Sequence, residues 1–132
     1  MCIRDSDNDG YEDLFVTSLG GNHLYHNNGN GTFADVTEKA GVGGTGWSTS
    51  AAWVDLDGDG YLDLVLLRYI QWDWDDVWCG PRDNRGYCHP DVFQPISMLV
   101  YHNNGNGTFT EVAHRVGLDK PGKALGLSLI HI

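Results

Sequence analysis

No stretch of the 132 residues is apolar for long enough to cross a membrane, and no segment of useful length carries a helical period. The exception is one short turn at Glu38-Lys39-Ala40. Basic residues are scarce. Against 18 Asp and Glu stand 8 Lys and Arg, a formal charge of −10. That balance argues against nucleic acid or an anionic lipid surface as partner. There is no G-x-S-x-G elbow and no phosphate-binding P-loop. Cysteine is limited to 3 residues, so a thiolate metal centre would need more Cys or His at ligand spacing than the chain offers. Glycine is plentiful at 18, which fits a turn-rich β chain.

What the chain does have is a string of evenly spaced carboxylates that occurs twice. Asp5, Asp7, Asp9 and Asp13 form D-x-D-x-D-G-x-x-D, and Asp55, Asp57, Asp59 and Asp63 repeat it 50 residues later. Gly10 and Gly60 fill the same slot. Like charges so close repel unless a cation sits among them. Carboxylates at alternate positions, followed by a Gly that permits a sharp turn, make a cage for a hard, oxygen-seeking ion, and Ca²⁺ suits it best. Two solvated acidic turns are the alternative, and duplication in register favours calcium. The expectation is two Ca²⁺ sites, each held by Asp side chains and by the backbone carbonyl of Tyr11 or Tyr61.

The flanks exclude an EF-hand. That motif needs a Glu at loop position 12 and helices on both sides, whereas position 12 here is Val16 or Leu66. Leu14-Phe15-Val16 and Leu64-Val65-Leu66-Leu67 follow the loops, and Ala51-Ala52-Trp53-Val54 precedes the second; all read as short strands. Each loop therefore joins two strands, with Asp63 already on the outgoing one.

A second motif also recurs. Leu24-Tyr25-His26-Asn27-Asn28-Gly29-Asn30-Gly31-Thr32-Phe33 returns, 76 residues on, as Val100-Tyr101-His102-Asn103-Asn104-Gly105-Asn106-Gly107-Thr108-Phe109. Its Asn-Gly pairs supply the positive φ angles of tight hairpins. His26 and His102 hold equivalent hairpin positions, which suggests a role in the repeat's structure. The two offsets differ by about 26 residues, so the second repeat carries an insertion from about 70 to about 96. The unit is strand, calcium loop, strand, strand, Asn-Gly hairpin, strand. Four-stranded units repeated in this way are blades of a β-propeller. A stacked β-roll is the rival, but its glycine-rich nonapeptide is missing. The fold class expected is thus all-β, about two four-stranded blades of a propeller, at about 7–42 and about 46–118. Trp53, Leu64, Leu66 and Tyr101 are the expected core.

These loops, with the L-Y-x-N-N-G-N-G-T-F-x-D-V-T-x-x-A-G-V stretch, resemble FG-GAP/VCBS-type propeller repeats. The chain is most similar to the family of cartilage acidic protein and its bacterial, ASPIC/UnbV-associated relatives. Gly46-Trp47-Ser48, Cys79-Gly80-Pro81, Tyr87-Cys88-His89-Pro90 and Gly122-Lys123-Ala124-Leu125-Gly126 all fit that family. The resemblance spans nearly all of 7–126. It implies a calcium-loop propeller whose remaining blades belong to a longer parent chain.

The ends resemble something else. Leu127-Ser128-Leu129-Ile130-His131-Ile132 is what CTG TCT CTT ATA CAC ATC encodes. The opposite strand of that DNA reads ATG TGT ATA AGA GAC AG, which encodes Met1-Cys2-Ile3-Arg4-Asp5 and opens a Ser6 codon. This is similar to a transposon end used in sequencing libraries. Residues 1–6 and 127–132 are therefore read as translated adapter, with Asp5 a chance replacement for a natural residue, also expected to be Asp.

Cys2 falls in the adapter, leaving Cys79 and Cys88, nine apart inside the insertion. The loop between them is rich in Gly, Pro and Asn and easily closed. A disulfide is favoured over free or metal-bound thiols and implies an extracytoplasmic setting. The insertion also holds Trp72, Trp74 and Trp78 among carboxylates such as Asp75, with His89 beyond. Exposed Trp beside Asp can stack on sugar rings; alternatively the indoles form the small core of a disulfide-closed lid. The function expected is a non-catalytic, calcium-binding extracellular module for a protein or glycan. The alternative is the scaffold part of a larger secreted or periplasmic enzyme acting on polysaccharide.

Overall fold

The computed structural model describes residues 5–72, 78–81 and 83–127. Most of both adapter-like ends lies outside these residues, as do Trp74 and Asp75. The chain is all-β and antiparallel. The first sheet is a meander of β1 (Leu14–Val16), β2 (His23–Asn27) and β3 (Phe33–Asp35). A single helical turn, α1 (Thr37–Ala40), closes it, and Gly41 ends that turn at φ 76°. The second sheet runs β4 (Ser48–Val54), β5 (Asp63–Arg68), β7 (Leu99–Asn103) and β8 (Phe109–Glu111). Short strands β6 (Ile96–Ser97) and β9 (Pro121–Gly122) pair with each other.

The repeat is literal in the backbone. Leu14 pairs with Tyr25, and Leu64 pairs with Tyr101. Tyr25 pairs with Asp35, and Tyr101 with Glu111. Loop one opens onto β1, and loop two joins β4 to β5. The first repeat therefore shows no described counterpart of β4. Both hairpins close in the same way. Asn28 N–H donates to the Thr32 carbonyl, and Asn104 N–H to that of Thr108, each at 3.0 Å. After β8 the chain turns as α1 does, with Val116 N–H on the Val112 carbonyl and Gly117 at φ 76°.

Alternation along the strands builds two apolar layers. Leu64, Leu66, Tyr101 and Phe109 face one way and pack on Leu24, Ala40 and Val42 of the first repeat, with Phe15 and Trp53 beside them. Phe15 meets Trp53 edge-on, centroids 6.3 Å apart. This layer joins the two sheets and contains all four expected core residues. Val65, Val100, Val112 and Ala113 form the layer on the far side of the second sheet, with Val54 and Met98.

The insertion is closed at its base. Ile70 bridges Pro95, and Gln71 N–H donates to the Gln94 carbonyl at 2.8 Å. Arg68 reaches across it, donating to the carbonyls of Ser97 (2.6 Å) and Thr45 (3.1 Å).

Candidate metal centres and the insertion

The two acidic loops fold alike because their first Asp organises the turn. Asp5 accepts N–H bonds from Asp9 (3.1 Å) and Gly10 (2.8 Å); Asp55 accepts them from Gly58, Asp59 and Gly60. Asp9 and Asp59 each accept from the Tyr two residues on, at 2.8 Å. Position 4 needs a left-handed residue, and it is Asn8 at φ 61° in one loop and Gly58 at φ 77° in the other. The last Asp is the buried anchor. Asp13 is 3 % exposed and Asp63 2 %. Asp13 accepts from Ser6 N–H and Asn27 N–H, both at 2.8 Å, and Asp63 from Leu56 N–H and Asn103 N–H. Buried carboxylates so placed tie each loop to the strand beside it.

Tyr11 and Tyr61 contribute more than a backbone position. A Cβ placed on Gly29 would lie 2.5 Å from the Tyr11 ring, and one on Gly105 would lie 3.0 Å from the Tyr61 ring. Each ring thus lies on the hairpin glycine, which must be glycine for room as well as for its φ of 69°. Asn27 and Asn103 complete the clamp. Each donates to the carbonyl at loop position 8 (Glu12 or Leu62) at 3.1 Å and accepts from the hairpin glycine N–H. Asn103 also donates to the Ser6 carbonyl at 2.8 Å, and Asn8 to the Gly60 carbonyl at 3.2 Å. The two loops are therefore neighbours, joined across the blade boundary.

The carboxylates converge. One oxygen each from Asp5, Asp7 and Asp9 lie within 4.8 Å of one another, a grouping that suits a divalent cation. Burial and the Asp9 and Asp13 charges push the Asp7 carboxyl above its ordinary value, against the pull of His26. Burial is the larger cause, and the two like charges add to it.

The structure adds one residue to each cluster, a histidine that the sequence had placed in the hairpin repeat. Asp7, Asp13 and His26 form one convergent group, and Asp57, Asp59 and His102 another. His26 Nδ1 lies 3.2 Å from Asp13 and 3.3 Å from Asp7; His102 Nδ1 lies 3.1 Å from Asp63 and 3.5 Å from Asp57. Register explains it. With Leu14 opposite Tyr25, the next step along both strands sets Asp13 opposite His26, and Leu64 opposite Tyr101 likewise sets Asp63 opposite His102. The usable signal was a His directly after the paired Tyr in both copies.

The insertion is stapled. Cys79 and Cys88 form a disulfide with Cα atoms 5.0 Å apart, within the ordinary range. The same turn is held by reciprocal backbone bonds between Cys79 and Gly86. The expected ligand residues separate here. Trp72 meets Trp47 at 6.1 Å and lines a cavity of about 390 Å³ with Tyr69, Phe93 and Leu19. Trp78 is 56 % exposed and stacks on Tyr87, itself 93 % exposed, at 6.2 Å and 25°. His89 caps the turn Pro90–Val92, its ring accepting from Asp91 N–H. Tyr87 entered the sequence reading only within the Tyr87-Cys88-His89-Pro90 motif and not as a ligand residue, and nothing in the sequence marks it as the partner of Trp78.

Residues 5–66 match the FG-GAP-like repeat family. That span covers both acidic loops, the first sheet, β4 and β5 as far as Leu66. No curated protein matches the chain closely enough to count as a relative. With two antiparallel units in tandem, the chain is a propeller-type repeat module. Among the described residues no helix is long and apolar enough to cross a membrane.

Proposed function

We propose that this chain is a calcium-stabilised, extracytoplasmic binding module that displays its disulfide-closed insertion to a glycan. The observation that carries the reading is the duplicated loop: both copies share one hydrogen-bond scheme, with Asp5, Asp7 and Asp9 converging in the first and Asp57, Asp59 and His102 in the second. Asp5, Asp7, Asp9 and Asp13 would hold one Ca²⁺ and Asp55, Asp57, Asp59 and Asp63 the other, with the Tyr11 and Tyr61 carbonyls in the backbone position. A cation there neutralises charges that otherwise repel, and so ties each loop to its hairpin. The Cys79–Cys88 bridge fits an oxidising compartment. The repeat likeness and the motifs at Cys79 and Cys88 support a place near the cartilage acidic protein family, in a parent chain with further blades.

The ligand surface is the pair Trp78 and Tyr87. Two rings stacked nearly parallel and left in water form a platform on which a sugar ring can lie, and aromatic surface of this kind is costly to expose without a partner. Trp78→Ala and Tyr87→Ala should abolish binding on a glycan array while leaving Ca²⁺ affinity intact. Glycan binding that survives both substitutions would refute the platform. Binding to a protein ligand alone would move the module to the other ligand class.

A further inference from the structure

The acidic loops are built like oxygen-only cages, yet each receives an imidazole nitrogen. His26 Nδ1 is buried, makes no hydrogen bond, and lies 3.2 Å from an Asp13 oxygen and 3.3 Å from an Asp7 oxygen. Its Nε2 lies 3.7 Å from Asp9. The ring therefore stands among three carboxylates of its loop. His102 repeats the placement, Nδ1 toward Asp63 at 3.1 Å and Asp57 at 3.5 Å. In both loops the same nitrogen meets the carboxylates of positions 3 and 9.

Ca²⁺ prefers oxygen and has little use for imidazole. Borderline first-row dications accept imidazole together with carboxylate. Two ligands about 2.0–2.1 Å from a tetrahedral ion lie about 3.3 Å apart, close to the separations seen around His26. We infer that His26 and His102 are nitrogen ligands through which a first-row transition dication such as Zn²⁺ competes with Ca²⁺ at the two loops. The inference rests on reading the loops as cation sites. It makes them exchange sites, in which the hard ion is held by oxygen ligands alone and the borderline ion by two carboxylates and the ring. Ligation costs no large movement, because donor atoms of Asp7, Asp13 and His26 already lie within 4.8 Å of one another. The bland alternative is that each imidazole only hydrogen-bonds the anchoring Asp, as His102 does with Asp63.

The test uses the 132-residue chain. Zn²⁺ and Ca²⁺ affinities are measured separately and in competition by calorimetry for the wild type and for His26→Gln with His102→Gln. The ratio of Zn²⁺ to Ca²⁺ affinity should fall by more than about tenfold, the least that losing even an outer partner of a metal ligand costs. An unchanged ratio overturns the inference. The folding of the variant does not decide the matter, because a second readout uses the wild type. Zn²⁺ should shift the ¹⁵N resonances of the His26 and His102 Nδ1 atoms, whereas Ca²⁺ should not. Zn²⁺ binding without that shift also overturns it. Ca²⁺ binding with no Zn²⁺ binding sinks the inference and leaves the calcium reading standing. Zn²⁺ binding through the two rings with no Ca²⁺ binding overturns the calcium reading and the competition with it, and leaves only the rings as ligands.

Discussion

At the scale of single residues, the informative positions are those where one side chain serves two neighbours. Asp13 and Asp63 each anchor a strand edge and meet the imidazole of the neighbouring hairpin at once. Tyr11 and Tyr61 offer a carbonyl to the loop and a ring to the hairpin glycine. Asp7 is the residue that reports the cage's electrostatics. Its carboxyl is raised above the ordinary 3.8 by burial and by Asp9 and Asp13. A raised folded value means that the group favours the metal-free fold below its unfolded value and loses that contribution as pH rises through the raised value. At neutral pH, ionised Asp7 therefore works against the empty loop, and a cation reverses the sign by binding the ionised form. An NMR titration of the Asp7 carboxyl in chelator should give a midpoint above 3.8, and added Ca²⁺ should move it down. A midpoint at or below 3.8 in chelator would mean that the carboxylates do not converge in solution.

At the scale of elements, what could be read from the sequence was what repeats. The offset of 50 between Asp-rich loops and of 76 between Asn-Gly hairpins fixed the order of strands, because each is a turn whose chemistry dictates its backbone. The same offsets placed the insertion, and the bridge between Ile70 and Pro95 lies at its ends. His26 and His102 were legible as a repeated pair but not as cage residues, since that depends on which strand lies beside the loop and in what register. The contact between Trp78 and Tyr87 was not legible at all, since a turn with no copy elsewhere in the chain gives nothing to compare. The disulfide belongs to this scale too. It closes a short loop, so it constrains the insertion and not the sheets. Peptide mapping of protein exported to an oxidising compartment should recover Cys79 linked to Cys88. Two alkylatable thiols there would remove both the staple and the argument for that compartment.

At the scale of the whole molecule, the two repeats use the same face differently. Leu64, Leu66, Tyr101 and Phe109 are buried against the first sheet. Their counterparts Leu14, Val16, Tyr25 and Phe33 lie on the first sheet's other face, where Leu14 is 43 % and Phe33 50 % exposed. A face that is core in one repeat and wet in the other is shaped for another blade. Phe109→Ala should cost about 3–5 kcal/mol, as for a buried ring, and Phe33→Ala under about 1 kcal/mol. Phe33→Ala should also weaken any self-association seen by sedimentation, and equal costs for the two would refute the blade-to-blade reading. All of this hangs on the duplicated loops acting as cation cages, and calorimetric titration of the purified chain with Ca²⁺ tests that most directly. Two sites are expected, with Asp57→Ala removing one and leaving the other. Absence of binding at millimolar Ca²⁺, or two sites that survive Asp57→Ala, would contradict that expectation.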